Sequence, residues 1–417
     1  MTASGRSRPT FVSIAYTHAP GDPRVRRECE SLVRAGWRVI QIGLGAPGEG
    51  RVGHLAGMLL LRVPERRYRG DNVVRYAWSY LRFFFQARAL LQRVIERYGA
   101  DAVQVTNLPN SLVWAAWPAR RAGGGIILDI RDPVPEFFAC KFGDRAYGPA
   151  GVWLAEIEER LAAMGADLVV TANEPHRRLT ATHGVREKKL RLVLNSADER
   201  LFPLLPPRVS NGRLAYAGTV AERMGLDVIL AAVALLRRQG EGVQLDILGD
   251  GDAVPLLQAE RDRLGLAEAV SVTGQRFRIE DLPAKLANVG IGIVPLRRDS
   301  FTDLLLSMKL LEYVRLGIPA IVTRTPTLSH YFPADAVTFV DEHTPEAWAR
   351  AIRGVLDDPE GARQRAERAQ RVPAADSWQA IEGDFVRLIE EAAAIRSGSL
   401  RGTAAPITFS QPLRIQS

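Results

Sequence analysis

The chain has 417 residues, of which 47% are hydrophobic and 24% charged, and a formal net charge of +8. This length suits two domains, and the composition is typical of a globular protein. No run approaches the roughly 20 consecutive apolar residues of a spanning helix, and no signal pattern opens the chain, so we expect a cytoplasmic protein. Only two cysteines are present, Cys29 and Cys140, which excludes a disulfide framework or a cysteine metal site.

The positive charge is concentrated in residues 51–98, which hold ten arginines and three acids, so 10 − 3 = +7 lies there. Aromatic residues interleave with these arginines, and we expect an anionic bilayer surface rather than nucleic acid as the partner. The alternative is that a chain with five lysines places arginine on any solvated face. A helical wheel predicts three faces. The basic stripe consists of Arg75, Arg82, Arg93 and Arg97, and the apolar core face of Ala77, Leu81, Phe84, Leu91 and Ile95. The flank beside the basic stripe consists of Tyr76, Phe83 and Leu90.

The chain begins with polar residues 1–9, which we expect to be flexible, and continues with a strand, a loop, a helix from Pro23 and a second strand. In such a βαβ unit the first loop, with His18, Gly21 and Asp22, takes the usual ligand-facing position. Arg24 could point to a phosphate near the helix N-terminus. The loop has no G-x-G-x-x-G sequence, so a dinucleotide fingerprint is absent.

Two further strands of the first half end in polar residues. DAVQVTN ends at Asn107, and GIILDI is followed by Arg131, Asp132 and, a few residues later, Glu136. Charges just past a buried strand are costly unless they are paired, so these residues form either a salt-bridged corner or part of a site. We favour a site that faces an acceptor.

A proline-rich stretch, DERLFPLLPPRVSNG, predicts a linker, after which the strand–helix alternation restarts. We therefore predict an N-terminal acceptor-binding domain over 10–205 and a nucleotide-sugar-binding domain over 206–375. A long helix is predicted over 376–397 and a disordered tail over 398–417.

Two strand-end loops of the second half suit a diphosphate. Backbone amides at a βα turn, together with one guanidinium, would hold it without a metal, although a plain turn has the same sequence pattern. Glycines in such a turn also let the backbone approach a ligand closely. The residues concerned are Gly218, Thr219 and Arg223 in the first loop and Gly249, Asp250 and Gly251 in the second.

The stretch SMKLLEYVRLG predicts a helix capped by Ser307, whose first turn, including Leu310, faces the ligand. Lys309 and Glu312 are three residues apart and share one face. An ammonium suits phosphate oxygens, and a carboxylate accepts both hydroxyls of a ribose. From the spacing alone, a solvated ion pair is an equal alternative.

In this order, the motifs resemble those of the GT-B retaining glycosyltransferases of family 4, of the bacterial exopolysaccharide and lipopolysaccharide type. The similarity runs from about residue 11 to 393 and rests on DPRVRREC, NLPNSLVWAA, ILDIRDPVPEFF, ADLVVTAN, NSAD, YAGTVAERMGLD, LGDGD and FTDLLLSMKLLEYVRLGIPAIV. The resemblance implies an α/β fold of two Rossmann-like domains facing each other across a crevice. It also implies a nucleotide sugar held mainly by the C-terminal domain, a last helix that returns to the N-terminal domain, and no metal or cofactor.

By this resemblance Arg223 and Lys309 should contact the donor diphosphate, and Glu312 the ribose. Where the family usually has a lysine before the glycine of the second-domain loop, this chain has Met224, which leaves the charge to Arg223.

Two more departures concern catalysis. The first acid of the family's Glu, seven residues, Glu pattern falls at Leu304, so Asp303 is our substitute for contact with the donor sugar. A histidine is frequent where this chain has Arg131, which moves attention to Asp132. Asp132 and Asp303 are therefore the predicted catalytic residues.

The sequence thus predicts a glycosyltransferase that moves a sugar, with retention, from a nucleotide-diphosphate sugar to a lipid-linked or saccharide acceptor. The expected setting is cell-surface polysaccharide synthesis at the inner face of the cytoplasmic membrane. A nucleotide-sugar epimerase of the same fold is the first alternative. An inactive scaffold or activator subunit is the second, and Met224 and Leu304 keep it open.

Overall fold

The computed structural model describes residues 8–46, 48–65, 73–142, 148–372 and 377–397, without the side chains of Val73, Tyr76 and Ser397. Most of the predicted flexible N-terminus, the predicted tail over 398–417 and the predicted position of the Tyr76 side chain therefore lie outside the described residues. The chain divides into two compact units, one of residues 1–194 with 381–417 and one of residues 195–380. Each is a Rossmann-like α/β unit.

The first unit contains an eight-stranded sheet in the order β3-β4-β2-β1-β5-β6-β7-β8, in which only the β3–β4 pair is antiparallel. Its central strands are buried along their whole length, as in a parallel sheet covered on both faces. The elements are β1 (Thr10–His18), α1 (Pro23–Arg34), β2 (Arg38–Leu44), β3 (Val52–Leu55), β4 (Met58–Val63), α2 (Val73–Tyr98), β5 (Ala102–Thr106), α3 (Trp117–Arg121), β6 (Gly125–Ile130), α4 (Val134–Phe142), α5 (Gly148–Gly165), β7 (Leu168–Thr171), α6 (Glu174–Thr182) and β8 (Leu190–Leu192).

Helix α2 is rotated relative to the predicted wheel at its N-terminal half, although Leu91 lies in the core cluster and Phe84 and Ile95 pack against it, as predicted. Phe83, predicted beside the arginines, is fully buried, whereas Leu81, predicted on the core face, is 45% exposed, and Ala77 is also exposed. The rotation follows from Tyr16 of β1, whose hydroxyl donates to Ser79 Oγ over 3.1 Å and whose ring meets the Phe83 ring edge-on. A serine on the buried side is invisible to a wheel that sorts residues by hydrophobicity.

The second unit contains a six-stranded parallel sheet in the order β11-β10-β9-β12-β13-β14. Among the described residues, no helix of either unit is long and apolar enough to cross a membrane. The elements of this unit are β9 (Arg213–Ala217), α7 (Leu226–Arg238), β10 (Gln244–Leu248), α8 (Val254–Arg263), β11 (Val270–Val272), α9 (Leu282–Lys285), β12 (Ile291–Val294), α10 (Met308–Arg315), β13 (Ala320–Thr323), α11 (Pro326–Tyr331), β14 (Thr338–Val340), α12 (Pro345–Asp357) and α13 (Pro359–Gln370). The next helix, α14 (Trp378–Ser397), belongs to the first unit from residue 381 onward.

The boundary between the units falls at residue 194, earlier than the predicted 205. The buried Arg315 of α10 explains this, because its Nε donates to the Phe202 carbonyl and its own carbonyl accepts from Leu205 N, both over 2.7 Å. These bonds attach the stretch before the prolines to the second unit. Hydrogen bonds of this kind cannot be read from composition.

Helix α14 packs on the first unit from residue 381 onward. Arg396 donates to Asp167 over 2.8 Å. A Cβ placed on Gly125, at the start of β6, would lie 1.9 Å from the carbonyl oxygen of Ala392, so only glycine allows this approach. The last helix thus lies against the N-terminal sheet.

Candidate functional site

In the second unit, the loops after β9 and β10 lie directly on each other. A Cβ on Gly249 would lie 1.8 Å from the Gly218 carbonyl oxygen, and one on Gly251 would lie 1.9 Å from that of Val220. Val220 N donates to the Asp250 carbonyl over 3.1 Å, which fixes the two loops together. The structure therefore brings the two glycine loops predicted for the donor into one surface, and this backbone contact requires their glycines.

Lys309, in the first turn of α10, reaches this surface. A Cβ on Gly218 would lie 2.6 Å from Lys309 Cε and 3.0 Å from Nζ, so the lysine occupies the space that a side chain at Gly218 would need. Its ammonium also lies 4.9 Å from the centre of the Tyr216 ring. Burial lowers the pKa of Lys309 to about 8; the Glu312 carboxylate opposes this and the Arg223 guanidinium adds to it. A poorly solvated cation near a second cation is a favourable place for an anion.

Within the described chain, no side chain caps the backbone amides at the N-terminus of α10. Ser307 has the extended backbone expected of an N-cap, but its hydroxyl makes no capping bond to the first turn. Helix α7, which follows the Arg223 turn, likewise starts at Gly225 without a side-chain cap. Uncapped amides carry the positive end of the helix dipole and suit phosphate oxygens. The expected Ser307 cap is therefore correct in position but not in its hydrogen bond.

The residues predicted to contact the donor sugar and ribose, Asp303 and Glu312, already have partners or neighbours in the protein. Asp303 is held by Arg298 through two bonds, Nε to Oδ1 over 2.9 Å and Nη2 to Oδ2 over 2.8 Å. Met224, where the family has a lysine, is buried. Glu312 is also buried and lies next to Lys309 on α10, as the three-residue spacing predicts. The Arg298 pair orients the Asp303 carboxylate, each oxygen of which can still accept a further hydrogen bond.

The remaining loop residues of this surface have contacts of their own. The Thr219 carbonyl accepts from the Tyr216 hydroxyl over 2.5 Å, which closes the turn after β9. Asp250 lies 3.4 Å from Arg276 Nε. Arg223 lies over the Phe301 ring, with its central carbon 5.7 Å from the ring centre. Leu310 is fully buried, so its side chain does not reach a ligand from the surface.

Tyr313 positions the end of β9 and was not identified from the sequence. Its hydroxyl donates to the Ala215 carbonyl over 3.1 Å and accepts from Ala217 N over 3.0 Å. Strand β12 pairs with β9 only as far as Gly292 and Ala215. Beyond that point the Tyr313 hydroxyl supplies the hydrogen bonds to the β9 backbone. Gly292 makes room, since a Cβ there would lie 2.3 Å from the tyrosine ring. The alternating glycines of GIGIV are the one sequence signal for this arrangement.

In the first unit, Arg131 is the centre of a buried ion cluster. Its guanidinium donates to Asp129 over 2.7 Å and to both oxygens of Glu28 over 2.8 Å, with a side chain 5% exposed. Gln104 donates to the same two carboxylates over 3.0 Å. The structure thus shows, for Arg131, the salt-bridged corner rather than the favoured ligand-facing role. The partner on α1 is far from Arg131 in sequence, which is why the pairing was not predicted.

The charge balance of this cluster depends on all its members. Burial raises the pKa of Glu28 to about 7; Arg131 opposes this and the neighbouring Asp129 adds to it. Burial also acts to raise the pKa of Asp22, but Arg131, Arg24 and two backbone amides outweigh it and leave that pKa below its usual value. Arg131 therefore acts to lower the pKa of both Glu28 and Asp22, and its effect exceeds that of burial only at Asp22, together with Arg24 and the two amides.

The predicted ligand-facing loop after β1 is tied together by its own residues. Asp22 caps α1 by accepting from Arg24 N over 2.9 Å, and it lies 3.4 Å from Arg131 Nη1. Gly21 N donates to the His18 carbonyl over 2.6 Å, and His18 Nε2 lies 3.1 Å from Glu49. Arg24 Nε lies 3.9 Å from Asp22. The loop is ordered by these contacts, with its histidine side chain partly exposed.

Asn107 connects the ends of β5 and β6. Its Oδ1 accepts from Arg131 N over 2.9 Å, and its Nδ2 donates to the Asp132 carbonyl over 2.6 Å. Within the described parts of the chain, the half-buried Asp132 carboxylate has no hydrogen bond or ion pair. Asn107 and Asp132, both predicted, are thus brought together, and Asp132 is left as an available acid.

Glu136 is paired inside the unit. His183, after α6, lies 3.4 Å from Glu136 through Nε2 and 2.8 Å from Glu159 of α5 through Nδ1. Burial acts to lower the pKa of His183, but the two carboxylates raise it to about 10. The Glu136 side chain is only 13% exposed, so its placement favours a structural role over the predicted contact with an acceptor. Among the described residues, no group of three His, Cys, Asp or Glu could hold a metal ion.

Two family models match the chain, one to each α/β unit. The model described as a glycosyl transferase 4-like domain covers residues 21–196, and that of the glycosyl transferases group 1 covers residues 211–358. The paired Rossmann-like units and these matches define a GT-B glycosyltransferase. The chain belongs to the family 4 type, which confirms the resemblance seen in the motifs.

Relatives with names in this class align with parts of the chain. The α-D-kanosaminyltransferase of Streptomyces kanamyceticus is 29% identical over 171 residues, 40% of this chain and 42% of that protein. A GDP-mannose-dependent α-(1-6)-phosphatidylinositol dimannoside mannosyltransferase of Mycobacterium tuberculosis is 27% identical over 192 residues, 46% of this chain and 47% of that protein. The chain thus spans about half the length of the curated relatives it matches.

Among solved structures, a sucrose-phosphate synthase from Thermosynechococcus elongatus superposes with a TM-score of 0.74 at 19% identity. The match covers 93% of this chain and 100% of that one. At this identity the likeness shows the fold alone.

Proposed function

We propose that the protein transfers a sugar from a nucleotide-diphosphate sugar to a hydroxyl of a lipid-linked or saccharide acceptor. One observation carries this proposal: the Lys309 ammonium, the backbone of Gly218 and the uncapped first turn of α10 converge at the end of β9. A diphosphate supplies the negative charge that this arrangement lacks.

The departing diphosphate sets the chemical demand. It carries negative charge that grows as the bond to the sugar breaks, and Lys309, Arg223 and the amides of α10 would neutralise it. Glu312 would accept the two ribose hydroxyls, as the family resemblance implies. These groups are held in place before the substrate arrives, so little reorganisation opposes the reaction.

We assign the acceptor side to Asp132. In the transfer, the acceptor oxygen bonds to the anomeric carbon on the same face from which the diphosphate departs, so that the configuration is retained. The bond from that carbon to the diphosphate breaks, and Asp132 takes up the hydroxyl proton. Within the described residues its carboxylate has no hydrogen bond or ion pair, and the Asn107 bond fixes its backbone; both observations support this role. On the donor side we keep Asp303 for the sugar hydroxyls. A covalent sugar–enzyme intermediate is not part of the proposal.

Retention and a lipid acceptor are included on narrower grounds. The name of the mycobacterial relative gives GDP-mannose as its donor, an α-(1-6) linkage and a phosphatidylinositol dimannoside as its acceptor. By analogy, we propose retention and a lipid-linked acceptor for this chain. Cell-surface polysaccharide synthesis on the inner face of the cytoplasmic membrane, reached through the basic segment 51–98, is the setting that fits such an acceptor.

The test is to incubate the purified protein with a panel of nucleotide sugars and a membrane lipid extract, and to follow release of the nucleotide diphosphate with and without a chelator. Acceptor-dependent release that survives the chelator supports the proposal, and the anomeric configuration of the product decides retention. Conversion of the donor without acceptor would show the epimerase, and binding without turnover the scaffold.

A variant pair locates the donor. Lys309→Ala should weaken binding of the free nucleotide diphosphate by about tenfold or more, because a charge-assisted contact is lost. Lys285→Ala, an exposed lysine of the same unit, is the matched control and should bind normally. Equal affinity of both variants would show that the diphosphate binds elsewhere.

A further inference from the structure

The large exposed apolar side chains of the first unit are concentrated on two helices. On α2 they follow one stripe, with spacings of four, three and four residues, and on α5 they form a second stripe over three turns. Isolated exposed apolar residues are ordinary, but repeated ones on one helix face mark a contact surface. The two stripes are Val74, Trp78, Leu81 and Phe85 on α2, and Trp153, Leu154, Leu161 and Met164 on α5.

Both helices cover the same face of the sheet. The connections β4–α2–β5 and β6–α5–β7 run in the same direction along the strand order, and right-handed crossovers then place their helices on one side. Their inner faces confirm this, because Phe83 of α2 and Ala162 of α5 belong to one core cluster. The two exposed stripes therefore lie on the solvent side of a single layer of helices.

The stripes also share one end of the unit with the acceptor loops. Helices in such units run antiparallel to the strands, so the N-terminal halves of α2 and α5 lie at the carboxyl edge of the sheet. Trp78 and Trp153, each 60% exposed, are in those halves. Asn107 and Asp132 follow strands that end at the same edge.

The charge of the layer identifies the class of partner. From residue 73 to 95, helix α2 contains no Asp or Glu, while the exposed Arg75 and Arg82 lie beside its stripe. Arg82 Nε also lies 3.1 Å from Glu65 Oε2, at the exposed end of an ion pair. Of the three acids of α5, Glu158 is turned toward Asn110 and Glu159 toward His183, and Glu156 is half-buried. A symmetric contact with a second copy would bring these arginines near each other, whereas anionic headgroups would meet them favourably.

We propose that α2 and α5 form one docking layer for a bilayer that contains anionic lipid. Trp78, Phe85 and Trp153 enter the interface between headgroups and acyl chains, and Arg75 and Arg82 meet headgroup phosphates. This layer specifies which surface makes the membrane contact of the proposed function. The inference rests on the proposed function only where it explains a lipid acceptor. It differs from the basic stripe predicted by the helical wheel, because the α2 surface is apolar with arginines at its margin.

The test is flotation of the full-length protein with vesicles of phosphatidylcholine alone or mixed with phosphatidylglycerol. The double variant Trp78→Ser/Phe85→Ser removes two exposed rings from α2, and Trp153→Ser removes one from α5. Leu256→Ser is the matched control, since Leu256 is 75% exposed in the second unit. All of these side chains are at the surface, so the folded state should persist, and circular dichroism checks it.

The wild-type protein should float with phosphatidylglycerol vesicles at low salt. Each lost ring should lower the partition coefficient about tenfold, because roughly half of the exposed area of an aromatic ring leaves water on docking. Arg75→Gln should lower it about fivefold, and high salt should abolish that difference. Leu256→Ser should behave as wild type.

Three results would overturn the inference. Equal flotation of the double variant and wild type would show that α2 is not part of the docking layer. Unchanged flotation of Trp153→Ser would show the same for α5. Equal binding to phosphatidylcholine alone would exclude the anionic lipid. The outcome is separate from that of the proposed function, because nucleotide diphosphate binding and transfer to a soluble saccharide should be unchanged in all these variants.

Discussion

Replacing Lys309 by methionine should make the free protein more stable while it weakens donor binding. The lysine is half-buried, and its pKa falls from 10.5 to about 8 because burial removes water from the ammonium. Methionine keeps most of the aliphatic chain that packs over Gly218 but carries no charge. The charged side chain therefore costs stability that the ligand recovers, as is common for functional residues.

The size of this cost follows from the pKa. A lowering of roughly 2.5 pH units corresponds to roughly 3.4 kcal/mol of native-state penalty. Solvent still reaches part of the ammonium, so we expect about 1–2 kcal/mol. Below pH 8 the lysine is charged in both the folded and unfolded states, and the penalty is complete. Between pH 8 and 10.5 the unfolded state binds more protons than the folded one, so the penalty fades as the pH rises.

Urea denaturation at pH 7 and pH 9.5, with and without a nucleotide diphosphate, measures both effects. Without ligand, Lys309→Met should exceed wild type in unfolding free energy at pH 7, and the gap should narrow at pH 9.5. With ligand, wild type should gain more than the variant. Lys285→Met is the control, and it should show neither a gap that depends on pH nor a loss of ligand stabilisation. A Lys309→Met protein that is less stable than wild type at pH 7 would refute the argument.

Three further outcomes concern the framework of the site. Tyr313→Phe should cost about 2–3 kcal/mol in denaturation, because a buried carbonyl and a buried amide of β9 lose their partner, and it should weaken binding of the nucleotide diphosphate. Gly251→Ala should also weaken that binding, measured by calorimetry, since a Cβ 1.9 Å from the Val220 carbonyl must push the two loops apart; unchanged affinity would show that these loops do not touch the ligand. Arg131→Met should lose about 3–5 kcal/mol at pH 7.5 because buried carboxylates lose their cation. That loss should shrink at pH 5.5, where Glu28, whose pKa is already raised, takes up a proton; an equal loss at both pH values would contradict the ion-cluster account.

The sequence predicted the features of the fold and site that depend on the order and spacing of residues along the chain. Alternating strands and helices gave the two α/β units, and the spacing of Lys309 and Glu312 placed both on one helix that the structure positions beside Gly218. The glycines at 249 and 251 were predicted as sites of close approach. The structure adds that the approaching group is the backbone of the neighbouring loop.

The sequence could not predict contacts between residues far apart in the chain. Arg131 was assigned to a site because its partner Glu28 lies on α1, far away in the chain. The wheel misplaced Ala77, Leu81 and Phe83 of α2, because it could not show that Ser79 is buried against Tyr16. Tyr313 was missed because its role depends on where β12 stops pairing with β9.

Tyr313 and Lys309 belong to the same short helix, and this has a consequence for how a ligand would bind. The helix holds the end of β9 through the phenol and also supplies the cation that lies over that end. Any shift of α10 would move both partners, so their separation stays nearly constant. The surface is preorganised in this sense: binding energy need not be spent on assembling the lysine and the loop, and more of it remains for the sugar.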